Sequence, residues 1–192
     1  MPQAQAAAED WIRRGVAVDG GDPQARSVLG VVLYMRGDHV SAVFEARNAL
    51  ALSPGLADAH GVLGAALIFS GRRQEGLSSL ETCIRLDPRN PRSNSRLLHK
   101  AIAHYFCKDY EASATATAEL IRLYPKYPFP YRWRAAALGQ LGRVDEGRRA
   151  LEQAIAMGPE IFDMFVRKGV VWMDPADHAH MVEGLRKVGL LN

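Results

Sequence analysis

The chain has 192 residues, of which 48% are apolar, and its 24 basic and 21 acidic side chains give a net charge of +3. No run of about 18 apolar residues is present, which excludes a predicted membrane-spanning helix, and the charges near the N-terminus disfavour a secretory signal. The 2 cysteines are too few for a disulfide framework or a zinc site. Composition and these exclusions together lead us to expect a single soluble, cytoplasmic, all-helical domain.

The first predicted element is a lone helix within residues 1–22, which we interpret as the second half of a helix pair. Its apolar residues have helical spacing, and they are Ala8, Trp11, Ile12, Val16 and Val18. Such a helix would leave its upstream face bare, so we expect it to fray, to be covered by another chain, or to follow a lost segment. A homo-oligomer through this half repeat is one prediction.

Four similar blocks follow, at residues 23–56, 57–90, 91–127 and 128–161, and residues 91–93 form a three-residue insertion. Prolines recur at intervals of 34, 37 and 34 residues, and each follows an apolar helical run. These prolines are Pro54, Pro88, Pro125 and Pro159, and the runs before them end at Leu52, Leu86, Leu123 and Met157. A block of this length is one helix pair that becomes stable only when neighbouring pairs stack on it.

Small residues occupy the eighth and twentieth positions of every block, namely Gly30, Gly64, Ala101 and Ala135, then Ala42, Gly76, Ser113 and Gly147. Small side chains at facing positions let two helices approach closely. Glycine also marks the turn within three blocks, as Gly37, Gly71 and Gly142, because it adopts the positive φ of a helix C-terminus. The third block has Lys108 in this turn, so we expect a strained or differently shaped corner there.

These features resemble the tetratricopeptide repeat, a 34-residue helix-turn-helix unit with small residues at these positions and a closing proline. The resemblance implies an all-α solenoid of antiparallel helix pairs, wound into a right-handed superhelix and closed by a C-terminal capping helix. Residues 162–192 would supply a partial repeat and that cap. We expect its first helix over 161–173 and the final helix over about 176–188, started by Asp174 and Pro175.

No catalytic pattern is evident in the sequence. The 6 histidines lack metal-ligand spacing, and there is no phosphate-binding glycine loop or nucleophile elbow. We therefore predict a non-enzymatic protein with no cofactor and no metal.

Basic residues are concentrated in the C-terminal half, and a solvated face is their simplest interpretation. The alternative is a surface that attracts an acidic peptide, a phosphate or nucleic acid, although no nucleic-acid-binding motif accompanies the charge, which disfavours the last. The residues are Arg92, Arg96, Lys100, Lys108, Arg122, Lys126, Arg132 and Arg134.

The resemblance places the partner surface on the first helix of each pair. The groove-facing positions that we select are Tyr34, Met35, Asp58, Ile68, Phe69, Leu98, Ile102, Tyr105, Phe106, Phe129, Arg132 and Gln140. Large apolar anchors suit an extended segment or an amphipathic helix of a protein partner, with Arg132 and Gln140 available for polar orientation. The alternative is that these aromatic residues pack against one another. The basic and amide set with which some members grip a C-terminal carboxylate is missing.

The tail, from Asp174 to Asp177 and from Glu183 to Leu190, is similar to the closing segment of tetratricopeptide regions in some bacterial class III adenylate or guanylate cyclases. This resemblance implies the helical part of such a protein without its catalytic domain. Two functions therefore remain open. One is a scaffold that binds a partner segment in an apolar groove, and the other is a structural, self-associating or regulatory module derived from such a cyclase.

Overall fold

The structure, a computed structural model, describes residues 10, 14, 20–90 and 93–191. Most of the predicted N-terminal half repeat and Arg92 lie outside these residues. Within the described ranges every regular element is helical, which confirms the predicted all-α class, and none is long and apolar enough to cross a membrane. The helices are α1 (Pro23–Met35), α2 (His39–Leu52), α3 (Ala57–Phe69), α4 (Arg73–Leu86), α5 (Ser93–Phe106), α6 (Tyr110–Leu123), α7 (Phe129–Gln140), α8 (Val144–Met157), α9 (Pro159–Phe162), a π-helical segment (Asp163–Lys168) and α10 (Pro175–Arg186).

The chain divides into two compact units, Met1–Asn90 and Pro91–Asn192. In the first unit α1 pairs with α2, α3 pairs with α4, and α3 also packs on α1 and α2. Side-chain caps fix two helix starts, because Asp22 accepts a hydrogen bond from the amide of Gln24 at 2.8 Å and Asp38 from that of Ser41 at 3.1 Å. Buried aliphatic residues join the helices in two clusters: Leu29, Leu33, Ala42 and Ala66, and Ala46, Val62, Leu63 and Leu67.

The predicted helix ends are confirmed in all four blocks. The second helices α2, α4, α6 and α8 end at Leu52, Leu86, Leu123 and Met157, in each case two residues before a proline. Proline lacks a backbone N–H, and its ring also disfavours helical geometry in the residue before it. Because these effects act within a few residues of the proline, the sequence predicts the helix ends well.

Glycines place α3 and α4 in backbone contact. A Cβ added to Gly64 would lie 2.9 Å from the carbonyl oxygen of Gly76, and a Cβ on Gly76 would lie 2.7 Å from that of Gly64. At the same eighth position of later blocks, Ala101 and Ala135 are fully buried. The predicted close packing through small residues is therefore confirmed at these positions.

The corner between the helices of each pair has a left-handed residue. Gly37, Gly71 and Gly142 have φ of 84°, 86° and 74°, and Lys108 takes the same role in the third corner with φ of 62°. A residue with a Cβ is disfavoured in this region by about 1–2 kcal/mol. The strained third corner predicted from the missing glycine is confirmed.

The second unit contains the pairs α5–α6 and α7–α8, with α6 packed on α7 and α10 packed on α7. Its largest fully buried side chain is Trp133, and burying a large apolar side chain contributes about 1.5–3 kcal/mol. Asp174 caps α10 by accepting a hydrogen bond from the amide of Ala176 at 2.7 Å, next to a proline in the first turn. The predicted start of the final helix is confirmed.

The predicted helix over 161–173 is wrong in extent. The helical segment begins at Pro159, becomes π-helical at Asp163 and ends at Lys168. Gly169 follows with φ of 73°, a left-handed conformation that ends the helix. Trp172 and Met173 therefore lie in the loop before α10.

Candidate functional site

In the first unit, the structure brings Tyr34 and Phe69 together. Their rings stack with centroids 6.0 Å apart and planes inclined by 17°, and the ring of His39 lies 6.2 Å from that of Phe69. Ile68 and Phe69 are buried, at 0% and 5% exposure. These side chains pack within their own unit, which is the alternative that the sequence left open.

Two predicted groove residues of this unit remain reachable. Met35 at the end of α1 is 45% exposed, and Asp58 in the first turn of α3 is half-buried. Tyr34 is also half-buried, so one part of the Tyr34–Phe69 stack meets solvent. The accessible surface is therefore smaller than the predicted set.

In the second unit, the predicted groove residues of α5 form part of the core. Leu98, Ile102, Tyr105 and Phe106 are all buried. The ring of Tyr105 lies 5.4 Å from that of Trp133 in an edge-to-face contact, a favoured arrangement for aromatic pairs. These side chains anchor α7 to α5 and do not meet solvent.

Helix α10 lies against two of the predicted groove residues. The hydroxyl of Tyr105 donates a hydrogen bond to the carbonyl oxygen of His180 at 2.9 Å, and Nε2 of Gln140 reaches the same oxygen at 3.4 Å. Nζ of Lys187 donates to Oε1 of Gln140 at 2.7 Å. Burial raises the pKa of Tyr105, so the hydroxyl stays a neutral donor. The sequence did not predict that a helix of the same chain uses this surface.

A second contact with α10 comes from α6. The hydroxyl of Tyr110 lies 2.9 Å from Nε2 of His180, and the two rings meet edge to face at 5.9 Å. From the sequence, His180 was one of the 6 histidines without metal-ligand spacing. Its position is structural, since it fixes α10 to both helices of the α5–α6 pair.

Arg132 on α7 is a buried cation among aromatic rings. Its guanidinium carbon lies 4.4 Å from the ring centroid of Phe165, 5.3 Å from that of Phe129 and 5.8 Å from that of Trp133. The side chain is 6% exposed, and its Nε is enclosed without a hydrogen-bond partner. Removal from water lowers the pKa of Arg132 to about 10.

The three rings offset only part of the cost of burying Arg132. A cation over a ring face gains about 0.5–2 kcal/mol, whereas burying an ion without a partner costs several kcal/mol. Phe165 comes from the π-helical segment, a kind of irregularity that is frequent at functional sites. The sequence pointed to Arg132 and Phe129 but missed Phe165 and Trp133. The dense aromatic residues of 124–133 and 162–172 were the available signal.

The basic residues of the C-terminal half do not form one solvated face. Arg96 and Arg132 are each 6% exposed, and Arg134 donates a hydrogen bond to the carbonyl oxygen of Ala114 at 2.8 Å. Lys108 and Arg122 are exposed, as a solvated face requires. The solvated-face interpretation is therefore wrong for Arg96 and Arg132.

A cleft of about 490 Å³ lies between the π-helical segment and α10. Its lining is mostly apolar and consists of Val166, Arg167, His178, Ala179, Val182, Arg186, Leu190 and Leu191. His178 closes one side, with Nε2 3.2 Å from the carbonyl oxygen of Phe165. No group of three or more His, Cys, Asp or Glu that could hold a metal ion occurs among the described residues.

Comparison with known proteins identifies the repeat. Residues 57–90 and 134–174 each match a family model described as tetratricopeptide repeat. No curated protein sequence shows significant similarity to the chain.

Solved structures share the fold at low identity. The crystal structure of MamA is 16% identical, with a TM-score of 0.66 over 82% of this chain and 90% of that one. TTC0263, a thermophilic tetratricopeptide-repeat protein in Thermus thermophilus, is 20% identical, with a TM-score of 0.69 over 85% and 88%. YrrB, described as having an unusual peptide-binding site, is 15% identical, with a TM-score of 0.61 over 92% and 90%. The chain thus carries tetratricopeptide repeats at residues 57–90 and 134–174 and has the all-α fold of tetratricopeptide-repeat proteins.

Proposed function

We propose that this chain is a non-catalytic protein-interaction scaffold whose first helices bind a peptide or helical segment of a partner protein. The observation that supports it most directly is the position of α10. Tyr105 and Gln140, both selected as groove residues, already contact a backbone carbonyl of that helix. The first helices thus already bind one helical segment, from the same chain, and the groove residues that α10 leaves uncovered are the ones available to a partner.

Each unit offers its own accessible part of this surface. In the first unit it consists of Met35, Asp58 and the exposed side of Tyr34. In the second unit it consists of the half-buried ring of Phe129 beside Arg132. Aromatic and Met side chains are enriched at protein interfaces, where their large apolar surfaces act as anchors. The peptide-binding site named for YrrB, which shares the fold, agrees with this proposal.

The test is affinity purification from the source cells with quantitative comparison of three proteins: the wild type, a groove variant and a matched control. The groove variant carries Met35→Glu and Phe129→Ala, and the control carries Val171→Ser, which changes an exposed apolar residue in the loop before α10. We expect a defined partner to be lost with the groove variant and retained with the control. Equal recovery of every bound protein by all three folded proteins contradicts the groove.

Self-association is the second candidate, and one surface favours it. Val40 and Phe44 lie one turn apart on α2 and are 81% and 63% exposed. Adjacent exposed apolar side chains mark interaction sites. The predicted contact through the N-terminal half repeat lies mostly outside the described residues.

Light scattering at micromolar concentration tests the self-association. We expect a dimer that Phe44→Ser converts to a monomer, whereas Met35→Glu leaves it unchanged. A monomer at every concentration measured contradicts this candidate.

Derivation from a bacterial nucleotide cyclase stays a prediction from the tail motif, and the cytoplasmic location stays a prediction from composition and the charged N-terminus. The coding sequence next to this one would test the first, since a separated catalytic domain should lie there. An assay of the purified chain with ATP and GTP should show no cyclic nucleotide. Measurable turnover would overturn the non-enzymatic assignment.

A further inference from the structure

Arg132 is a cation placed without an anion. Within the described part of the chain, no carboxylate or carbonyl oxygen hydrogen-bonds to its guanidinium, which lies instead beside the rings of Phe129, Trp133 and Phe165. Asp163, on the same π-helical segment as Phe165, is already paired with Arg167 at 2.9 Å. Buried charges in proteins are normally paired, so this arrangement is incomplete.

The nearby phenol of Tyr127 does not supply the missing charge. Burial raises the pKa of Tyr127, so its hydroxyl is neutral at physiological pH. The rings attract the cation only through their electron-rich faces, and they leave its N–H donors without acceptors. The counter-charge therefore has to come from outside this set of residues.

We propose that Arg132, with Phe129 and Phe165 beside it, is a binding site for a carboxylate group that lies next to an apolar side chain. The inference rests on the proposed function for the partner that carries this group. Nε of Arg132 is buried without a hydrogen-bond partner, so the guanidinium has donor capacity that the described residues do not use. A planar guanidinium matches a carboxylate through two parallel hydrogen bonds. The half-buried rings of Phe129 and Phe165 would contact the apolar neighbour.

Low exposure makes this site selective. Arg132 is only 6% exposed, and the rings of Phe129, Trp133 and Phe165 around its guanidinium keep the local environment poor in water. A charge-assisted hydrogen bond is stronger in such surroundings than on an open surface. A neutral amide of the same shape brings no counter-charge and should bind less well.

Three small probes separate charge from shape. Acetyl-phenylalanine carries a terminal carboxylate, and acetyl-Glu-Phe-amide carries a side-chain carboxylate. Acetyl-Gln-Phe-amide is the neutral match. Binding is followed by tryptophan fluorescence, because Trp133 borders the guanidinium. We expect at least one carboxylate probe to bind about fivefold or more tightly than the neutral probe at low salt. Which of the two binds shows the source of the carboxylate.

Variants connect this preference to Arg132. In Arg132→Gln the carboxylate preference should disappear, and in Arg132→Lys it should weaken, since lysine keeps the charge but loses the planar fork. Arg122→Gln, which removes an exposed charge on α6, should keep the preference. If Arg132→Gln does not fold, the Arg132→Lys variant and the wild-type probe series decide the question.

Two results overturn the inference: equal binding of all three probes to the wild type, or an unchanged preference in folded Arg132→Gln. Neither result removes the scaffold proposal, which the partner comparison with Met35→Glu and Phe129→Ala tests separately. Conversely, failure to recover a protein partner leaves the probe measurement valid.

Discussion

Gly139 on α7 and Gly184 on α10 face each other so closely that a methyl group on Gly139 would overlap the carbonyl oxygen of Gly184. A Cβ on Gly184 would in turn lie 2.5 Å from the carbonyl oxygen of Ala136 and 2.8 Å from the hydroxyl of Tyr105. The two helices therefore meet backbone to backbone. This contact sets α10 against the surface that the sequence predicted for a partner.

Replacing Gly184 with Ala should weaken the seating of α10. Overpacking costs about 1–3 kcal/mol, and the better helix propensity of alanine returns up to about 1 kcal/mol. We expect a net loss of about 1–2 kcal/mol in the free energy of unfolding, measured by urea titration with tryptophan fluorescence.

The matched control for this substitution is Gly55→Ala. A Cβ at Gly55 would meet nothing within 4 Å, and its φ lies outside the left-handed region. We expect no loss there. Equal urea midpoints for Gly184→Ala and the wild type would show that α10 accommodates the methyl group without loss of stability, which would contradict the tight contact.

Tyr105→Phe should lower stability by removing the hydrogen bond to the carbonyl oxygen of His180. Tyr105 is fully buried, and its removal leaves the carbonyl oxygen of His180 with only the longer contact from Nε2 of Gln140 at 3.4 Å, so we expect a loss of about 1–2 kcal/mol. Tyr110→Phe is the comparison, because Tyr110 is only half-buried and water can replace its hydroxyl. Its loss should be about 0.5 kcal/mol. A ranking in the opposite order would contradict the role of Tyr105 in holding α10.

The repeat pattern was predictable because each of its signals acts locally. Helices end two residues before Pro54 and its counterparts. Gly64 and Gly76 lack a side chain, which indicates a close approach of two helix backbones. The corner at Lys108 was also predictable, since three other corners supplied the comparison. In a repeated sequence, each position can be compared with the equivalent position in the other copies, so a departure such as Lys108 is easily recognised.

The site was harder to predict because it depends on contacts far apart in sequence. Tyr105 and His180 are separated by 75 residues, and nothing in their spacing indicates that they meet. The π-helical segment has no sequence period of its own, so Phe165 was placed in an ordinary helix and its contact with Arg132 was missed. Aromatic residues at groove positions predict either a ligand surface or a core, and only packing decides between them.

Acid should destabilise the protein through His99 on α5. Burial lowers the pKa of His99 from 6.5 to about 4, so the folded state takes up this proton at lower pH than the unfolded chain. The unfolded chain therefore binds more protons between these two values, and stability is lost as pH falls from 6.5 towards 4. We expect a loss of about 2 kcal/mol from this group, less than the full shift gives, because His99 as a residue is only half-buried and solvent screens part of the effect.

The control for the acid effect is His99→Gln, which keeps a polar side chain but does not titrate. Urea midpoints measured at several pH values should change less in this variant than in the wild type over the same window. An identical pH dependence in the two proteins would assign the acid sensitivity to other groups.

Lys108→Gly should stabilise the protein, because the third corner needs a left-handed residue and lysine is strained there. The φ of Lys108 is 62°, and a left-handed conformation costs a residue with a Cβ about 1–2 kcal/mol. Glycine removes this strain, but it also gives the unfolded chain more conformational freedom, which stabilises the unfolded state by about 0.4–1 kcal/mol. We expect a net gain of about 0.5–1 kcal/mol in the free energy of unfolding. The reciprocal change, Gly142→Lys in the fourth corner, creates the same strain at φ of 74° and should lose a similar amount. The stability of both variants is measured by thermal unfolding followed by circular dichroism. Lower stability of Lys108→Gly would mean that the lysine side chain stabilises this corner by more than its backbone strain costs.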